Sequence, residues 1–331
     1  MGEPKQALSW VLLAASLMGM TLSAFPRQAR AQSSYPSQNV RVIVPFPAGS
    51  QTDLLARLMS DELGRSWKKT FLVENIAGAG GNVGTATVER SAPDGHTLLV
   101  VPPTFVVNPT VYKDLTYNPA DWSPVSIIAT VPYLLVARPG LAASNIQELL
   151  AAAKAKPEGI NYASGGLGSS AQLCALAIEM LGGVKFTHVP YRGAAPALAD
   201  VTAGHVDFVF DALATTLPLW KDGKVKVLGI GTKSRSPAMP DVPTIAESGL
   251  PTFDAVTWTA MLAPPKTPAA ITEKLSAEIK NILNRKDILD RMTALNFDVG
   301  GTNPEQTRVF LAKESKFWGD IAKKAGITLS Q

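Results

Sequence analysis

Short apolar, β-branched runs alternate along this chain with segments of helical periodicity, and the links between them are brief and rich in Gly, Ser and Ala. Val40–Pro45, Thr70–Asn75 and His96–Val101 read as strands. Gln51–Ser66 and a segment running from Gly84 to about Ser91 read as helices. A β-loop-α-β-loop-α-β order with short links constrains the fold to a parallel sheet covered by helices. A second series follows, with strands at Ile160–Ala163, Lys185–Val189 and Val206–Phe210 and helices at Ala171–Leu181 and Ala194–Ala203. Asp211–Trp220 is expected as a short helix and Lys224–Ile230 as a strand. With 331 residues, 46% of them hydrophobic, the chain can fill two such units.

Val125–Val136 is apolar with Pro132 inside it, and reads as two strands in series. Pro102-Pro103-Thr104 closes the third strand, and Ser144–Lys154 is an alanine-rich helix. Thr257–Ala263 is a strand, followed by helices at Pro268–Leu283 and Lys286–Ala294, a short strand at Phe297–Gly300 and a last helix at Asn303–Lys324. These last helices are too few for a third α/β unit, so they are expected to return and cover the first. The runs near 125–136 and 255–263 would then cross between the lobes.

Residues 1–31 hold an apolar run from about Ala7 to Ala24 and end in Ala29-Arg30-Ala31, which reads as a secretory signal with a small-residue cleavage site. The alternative is an uncleaved membrane anchor. The whole chain has 31 basic and 27 acidic side chains, and this segment holds three and one of them, leaving 28 and 26. That near-neutral balance, without a basic stripe, speaks against nucleic acid as a partner. The single Cys174 excludes an internal disulfide, makes a thiolate metal site improbable, and sits on an apolar helical pattern that fits a core residue.

The stretch Val42–Asp53 breaks from strand to helix through two prolines and a glycine. Ser50 stands at the N-cap and Asp53 three residues on, in a capping-box pattern. A helix start behind a strand presents free backbone N–H groups and a positive dipole end, which suit a carboxylate or phosphate, although an ordinary capped turn reads the same way. Gly166-Leu-Gly-Ser-Ser-Ala171 fits a dinucleotide fingerprint, but His188-Val-Pro-Tyr191 stands where the ribose-binding acid belongs. No cofactor, metal site or catalytic residue is expected. His96, His188 and His205 lack metal-ligand spacing, His188 reads as a satisfied core histidine, and Asp61 and Glu62 fall on a helix face expected to be exposed. What recurs is binding chemistry: small-residue loops at strand ends, several of which start helices.

Val44–Asp53, Glu74–Gly84 and Pro93–Leu98 resemble the solute-binding proteins of tripartite tricarboxylate transporters, the Bug family. So do Tyr162–Ser170, His188–Gly193 and Pro243–Pro251, in order from about Tyr35 to the C-terminus. The resemblance implies an α/β, two-lobed type II periplasmic-binding-protein fold, each lobe a mainly parallel sheet with flanking helices, closing on its ligand like a flytrap. It implies an exported, periplasmic, monomeric carrier of a small carboxylate that serves membrane permease subunits. An exported sensor and, further off, a hydrolase on the same scaffold are the alternatives. The family usually has Gly-Gly where this chain has Gly49-Ser50, and often His where it has Gln172. The absence of an obvious second cation argues against a densely charged tricarboxylate and leaves short or aromatic carboxylates open. The expected lobes are 32–132 with 253–331, and 133–252. The expected ligand contacts are Phe46, Ala48, Ser50, Thr52, Ala79 and Thr104 from one lobe, and Ser164, Gly168, Ser169, Ser170, Ala195 and Asp211 from the other.

Overall fold

The computed structural model describes residues 35–328, apart from 116 and 158. The expected signal segment lies outside the described residues. The first unit runs β1 (Val40–Val44), α1 (Gln51–Trp67), β2 (Phe71–Asn75), α2 (Asn82–Glu89), β3 (Thr97–Val101) and α3 (Thr104–Val111). After β4 (Ser123–Ala137) and α4 (Ile146–Ala155), the second runs β5 (Asn161–Ser164), α5 (Ser170–Gly182), β6 (Thr187–Pro190), α6 (Ala194–Ala203) and β7 (Phe208–Ala212). The chain then continues through α7 (Leu213–Lys221), β8 (Lys226–Ile230), β9 (Val256–Ala263), α8 (Ala269–Leu283), α9 (Lys286–Ala294), β10 (Asp298–Val299) and α10 (Pro304–Lys324).

Each unit builds a parallel triplet with the same strand order, β2-β1-β3 in one and β6-β5-β7 in the other. Strands β1 and β3 are buried along most of their length, as a sheet covered on both faces demands. The crossing strands extend the triplets in antiparallel fashion, so both sheets are mixed. β4 is one strand of 15 residues rather than two in series. Its first part pairs with β9, from Ser123↔Ala263 to Pro132↔Val256. From Tyr133 onward it pairs with β7 on one side, and from Leu134 with β8 on the other. Pro132 thus marks a change of partners without ending the strand.

Three segments meet at that change in a closed ring of backbone hydrogen bonds. Tyr133 N–H donates to the Ala255 carbonyl (3.3 Å), Ala255 N–H to Gly231 (2.9 Å), and Gly231 N–H to Tyr133 (2.7 Å). A Cβ on Gly231 would stand 2.5 Å from the Ala255 oxygen and 2.9 Å from the Tyr133 oxygen, so only glycine fits there.

Helices cover both faces of the sheets. One buried cluster joins Phe105, Trp122, Tyr162, Cys174, Trp258 and Trp318; the other joins Leu55, Met59, Ile128, Val201, Leu275 and Ile279. The C-terminal helices return to the first unit as expected: α8 packs on α1 and β4, and α10 on α3 and β4. α10 also reaches α5 of the second unit. Its Glu314, 4% exposed, accepts from the indoles of Trp258 (2.9 Å) and Trp318 (3.0 Å).

Three local expectations change. Pro102-Pro103-Thr104 does not only close β3: it starts α3, where a proline at the helix start forgoes no hydrogen bond. Asp211 belongs to the end of β7, and the helix begins at Leu213. Asp61 is exposed, but Glu62 is buried against α9's leading Arg285, which binds it together with Arg65. Among the described residues, no helix is long and apolar enough to cross a membrane.

Candidate ligand-binding site

The strand registers fix where the loops go. β3 pairs Leu99 with Leu262 and Val101 with Ala260, and β9 pairs those residues with Pro124 and Ile127. β3 therefore runs in the direction of β4, toward Pro132. β7 pairs Phe208 with Ala137 and Ala212 with Tyr133, so it runs against β4, also toward the junction. The carboxyl ends of both triplets approach the Pro132–Tyr133 junction from opposite sides. In open α/β sheets that edge is where ligands bind.

At this edge the two units present the same device. In the first, Gly49 takes a left-handed φ of 82°, Ser50 Oγ caps α1 by accepting from Asp53 N (3.3 Å), and Asp53 Oδ2 accepts from Gly49 N (2.8 Å). In the second, Gly168 has φ 74°, Ser169 Oγ caps α5 by accepting from Gln172 N (3.4 Å), and Gln172 Oε1 accepts from Gly168 N (2.7 Å). Both are Gly-Ser-x-x-acceptor loops. The side chain three residues on closes the loop at the glycine N–H, one position earlier than in a standard capping box. The first N–H groups of α1 and α5 have no acceptor within their own helices and stand at the positive ends of the helix dipoles.

Each loop is held from beneath. Burial pushes the Asp53 carboxyl up, but Arg57 (3.0 Å), the Gly49 N–H and Asn75 (2.8 Å) outweigh it and hold it below the usual carboxylate range. Under the second loop, the Gln172 amide faces His188 Nδ1 (3.4 Å) and His188 Nε2 meets Ser164 Oγ (2.7 Å). Because Gln172 Oε1 is engaged by Gly168, its NH₂ group is the one facing the ring. His188 is therefore the Nε2–H tautomer and donates to Ser164. Tyr162 stacks on the imidazole at 4.8 Å. Burial lowers the His188 pKa, with Glu179 opposing, so the ring stays neutral.

The expected residues fall into place unevenly. Phe46 is half-buried, and its ring covers Gly81 in the neighbouring loop, where a Cβ would lie 3.2 Å away. Ala79, at φ 45°, sits in that loop, which Asn108 fastens by donating to the Gly80 carbonyl (3.0 Å). Thr104 starts α3, Ala48 is exposed beside Gly49, and Thr52 is buried in the first turn of α1. Ala195 is exposed in the first turn of α6, whose loop bonds to the Ser164–Ser170 loop through Gly193 N and the Gly165 carbonyl (3.3 Å). Ser164 is fully buried, with its hydroxyl committed to His188 and to both backbone groups of Gly166, so it shapes the loop from below. Asp211 is buried at the end of β7, where Thr215 and Thr216 donate to its Oδ2, the latter at 3.1 Å. Burial raises its pKa, with the threonines opposing.

Sequence reading missed Tyr133 and Thr257. Both stand on crossing strands beside the junction, and the Tyr133 hydroxyl neighbours the hydroxyls of Ser170 and Thr257 as well as Asp211 and Cys174. Its pKa is pushed up to about 12, chiefly by burial. The available signal was a tyrosine directly after the one proline of the apolar crossing.

Residues 55–327 match the model of the tripartite tricarboxylate transporter family receptor, TctC. The chain belongs to that family. TctC receptors of the Bug type are solute-binding proteins and not enzymes, and their two-lobed periplasmic-binding fold is the one described above. BugT of Bordetella pertussis is 33% identical over 299 residues, 89% of this chain and 92% of BugT. The structure of R. palustris Rpa4515 with adipate is 31% identical, with a TM-score of 0.76 over 90% of this chain and 100% of that one. MatC from Rhodopseudomonas palustris with bound malate is 34% identical, with a TM-score of 0.72 over 87% of this chain and 99% of that one.

Proposed function

We propose that this TctC receptor captures a small carboxylate between its lobes on the extracytoplasmic side and delivers it to the membrane subunits of a tripartite transporter. The observation that carries the reading is the pair of Gly-Ser-capped helix starts, α1 and α5, brought to one junction by strands running toward it from either side. Two dipole ends and several free N–H groups stabilise an anion without a cationic side chain. The adipate and malate complexes of the two Rhodopseudomonas relatives support a carboxylate as the ligand class. The lobes are taken as 32–132 with 253–331, and 133–252, since β4 changes partners at Pro132–Tyr133. Residues 1–31 direct export, and the receptor acts as a monomer. Binding energy is gained in full only when both helix starts engage one ligand, so the ligand favours the closed form.

A thermal-shift screen of mono-, di- and aromatic carboxylates tests capture. A ligand at a hundred times its Kd adds about 2.7 kcal/mol of stability. Stabilisation by neutral sugars or amines alone would overturn the anion reading. Delivery is tested in cells: uptake of the stabilising compound should vanish when either the receptor or the permease genes are deleted.

A further inference from the structure

The far side of the junction from the α1 start carries a different chemistry from the two helix starts. Asp211 ends β7 next to Tyr133, since Tyr133↔Ala212 and Leu134↔Asp211 are paired. The residue is 7% exposed, and both side-chain donors, Thr215 and Thr216, converge on Oδ2 alone. Its neighbours are neutral donors: the hydroxyls of Thr215 and Thr216 on α7, the backbone N–H of Ala212, and Tyr133, which itself faces Ser170 and Thr257. No lysine, arginine or histidine is among the groups acting on this carboxyl. A buried acid without a counter-charge is a poor neighbour for a second anion and a good acceptor for a donor.

Building on the carboxylate reading of the helix starts, we infer that Asp211 selects ligands that carry a hydrogen-bond donor, hydroxyl or ammonium, at the end remote from their carboxylate. A plain dicarboxylate would set its second anion against Asp211 with no cation between them. A donor-bearing acid instead adds a donor to a carboxylate whose two side-chain donors both fall on Oδ2. Tyr133, Ser170 and Thr257 complete a neutral, hydroxyl-lined surface that adds no charge preference of its own.

The test is calorimetric titration of the full receptor with matched four- and six-carbon sets: the ω-hydroxy acid, the ω-amino acid, the diacid and the plain monoacid. Wild type should bind at least one donor-bearing acid tenfold or more tightly than the diacid and monoacid of the same length. Asp211→Asn, which keeps the shape and an acceptor but removes the charge, should erase that advantage and improve the diacid. An ammonium ligand should lose more than a hydroxyl ligand in this variant, which tells the two donors apart. Thr215→Val, at an exposed position, withdraws one donor from Asp211 and should widen the preference; it serves also if Asp211→Asn does not fold. A diacid that binds wild type as tightly as the donor-bearing acids, or a ranking unmoved by both substitutions, overturns the inference while leaving carboxylate capture intact. If no acid of either length binds, while neutral compounds do, both fall together.

Discussion

Ser50 and Ser169 each cap a helix at the start where the first N–H groups of that helix stand. Ser50→Ala or Ser169→Ala removes an acceptor from the cap and should cost about 1 kcal/mol, read as a Tm lower by roughly 2 °C. Ser50→Gly should cost only a few tenths of a kcal/mol, because glycine leaves the cap open to water. An Ala variant that melts at the same temperature as the wild type would show that the hydroxyl contributes nothing. His188 sets a pH limit on the second loop. Its folded pKa lies below the unfolded value, so the neutral ring contributes stability above about pH 6.5, and that contribution is lost as the pH falls through the unfolded and then the folded value. Protonation also turns Nδ1 into a donor facing the Gln172 amide, which is itself a donor there. Ligand affinity should therefore weaken only as the pH falls through the folded value, below about 6.5, and His188→Gln should flatten that acid limb. Tyr162, stacked on the ring, and Glu179, the one acid acting on it, are the neighbours to hold constant in that comparison.

At the level of elements, the strands and helices of the two parallel triplets were legible because period and length agree in them. Val40–Val44 and Thr97–Val101 are short apolar runs bounded by turns, and the α1 pattern places Leu55, Leu58, Met59 and Leu63 on one buried face. The capping role of Ser50 and Asp53 was also readable, since it depends on neighbours three residues apart. β4 resisted because Pro132 looks like a break, yet its missing N–H falls where the pairing strand changes, and the backbone continues. Thr104–Val111 was hidden by Pro109 and its β-branched residues, whose weak propensity is overridden by packing of Phe105, Val107 and Val111 into the core. Tyr133 and Thr257 depend on partners brought in from other elements, and the burial of Glu62 depends on Arg285 far along the chain, so no local pattern announces them. The ring of bonds among Tyr133, Ala255 and Gly231 makes a sharp prediction. Gly231→Ala forces a Cβ into two carbonyl oxygens and should cost about 1–3 kcal/mol, measured by denaturant unfolding. It should also shift the balance between open and closed forms, seen as a changed radius of gyration in the unliganded protein by solution scattering. A variant indistinguishable in both measurements would remove this ring from any account of the hinge.

Over the whole molecule, α10 ties the units together behind the junction, with Glu314 holding the Trp258 and Trp318 indoles and Lys313 bound to Asp254 at 2.9 Å. Glu314→Leu would leave two buried indole N–H groups without an acceptor, at about 1–3 kcal/mol for each, and the loss should appear as a lower Tm with altered tryptophan emission. Unchanged stability would mean that the indoles find other acceptors. The shared crossing strands also impose an order in time. The second triplet finds its antiparallel neighbour in β4, through β7, and β4 is a strand the ribosome has already made. β3 must wait for β9, whose last residue is Ala263, and until then its outer edge has no partner. The first sheet therefore stays unfinished for more than 150 residues of synthesis, from Val101 to Ala263, while the second is completed earlier, with β8 at Ile230. A bare apolar edge of that kind is the surface on which chains adhere to one another. Yield in the cell, more than stability of the finished fold, is where mutations in β3 and β9 should be felt.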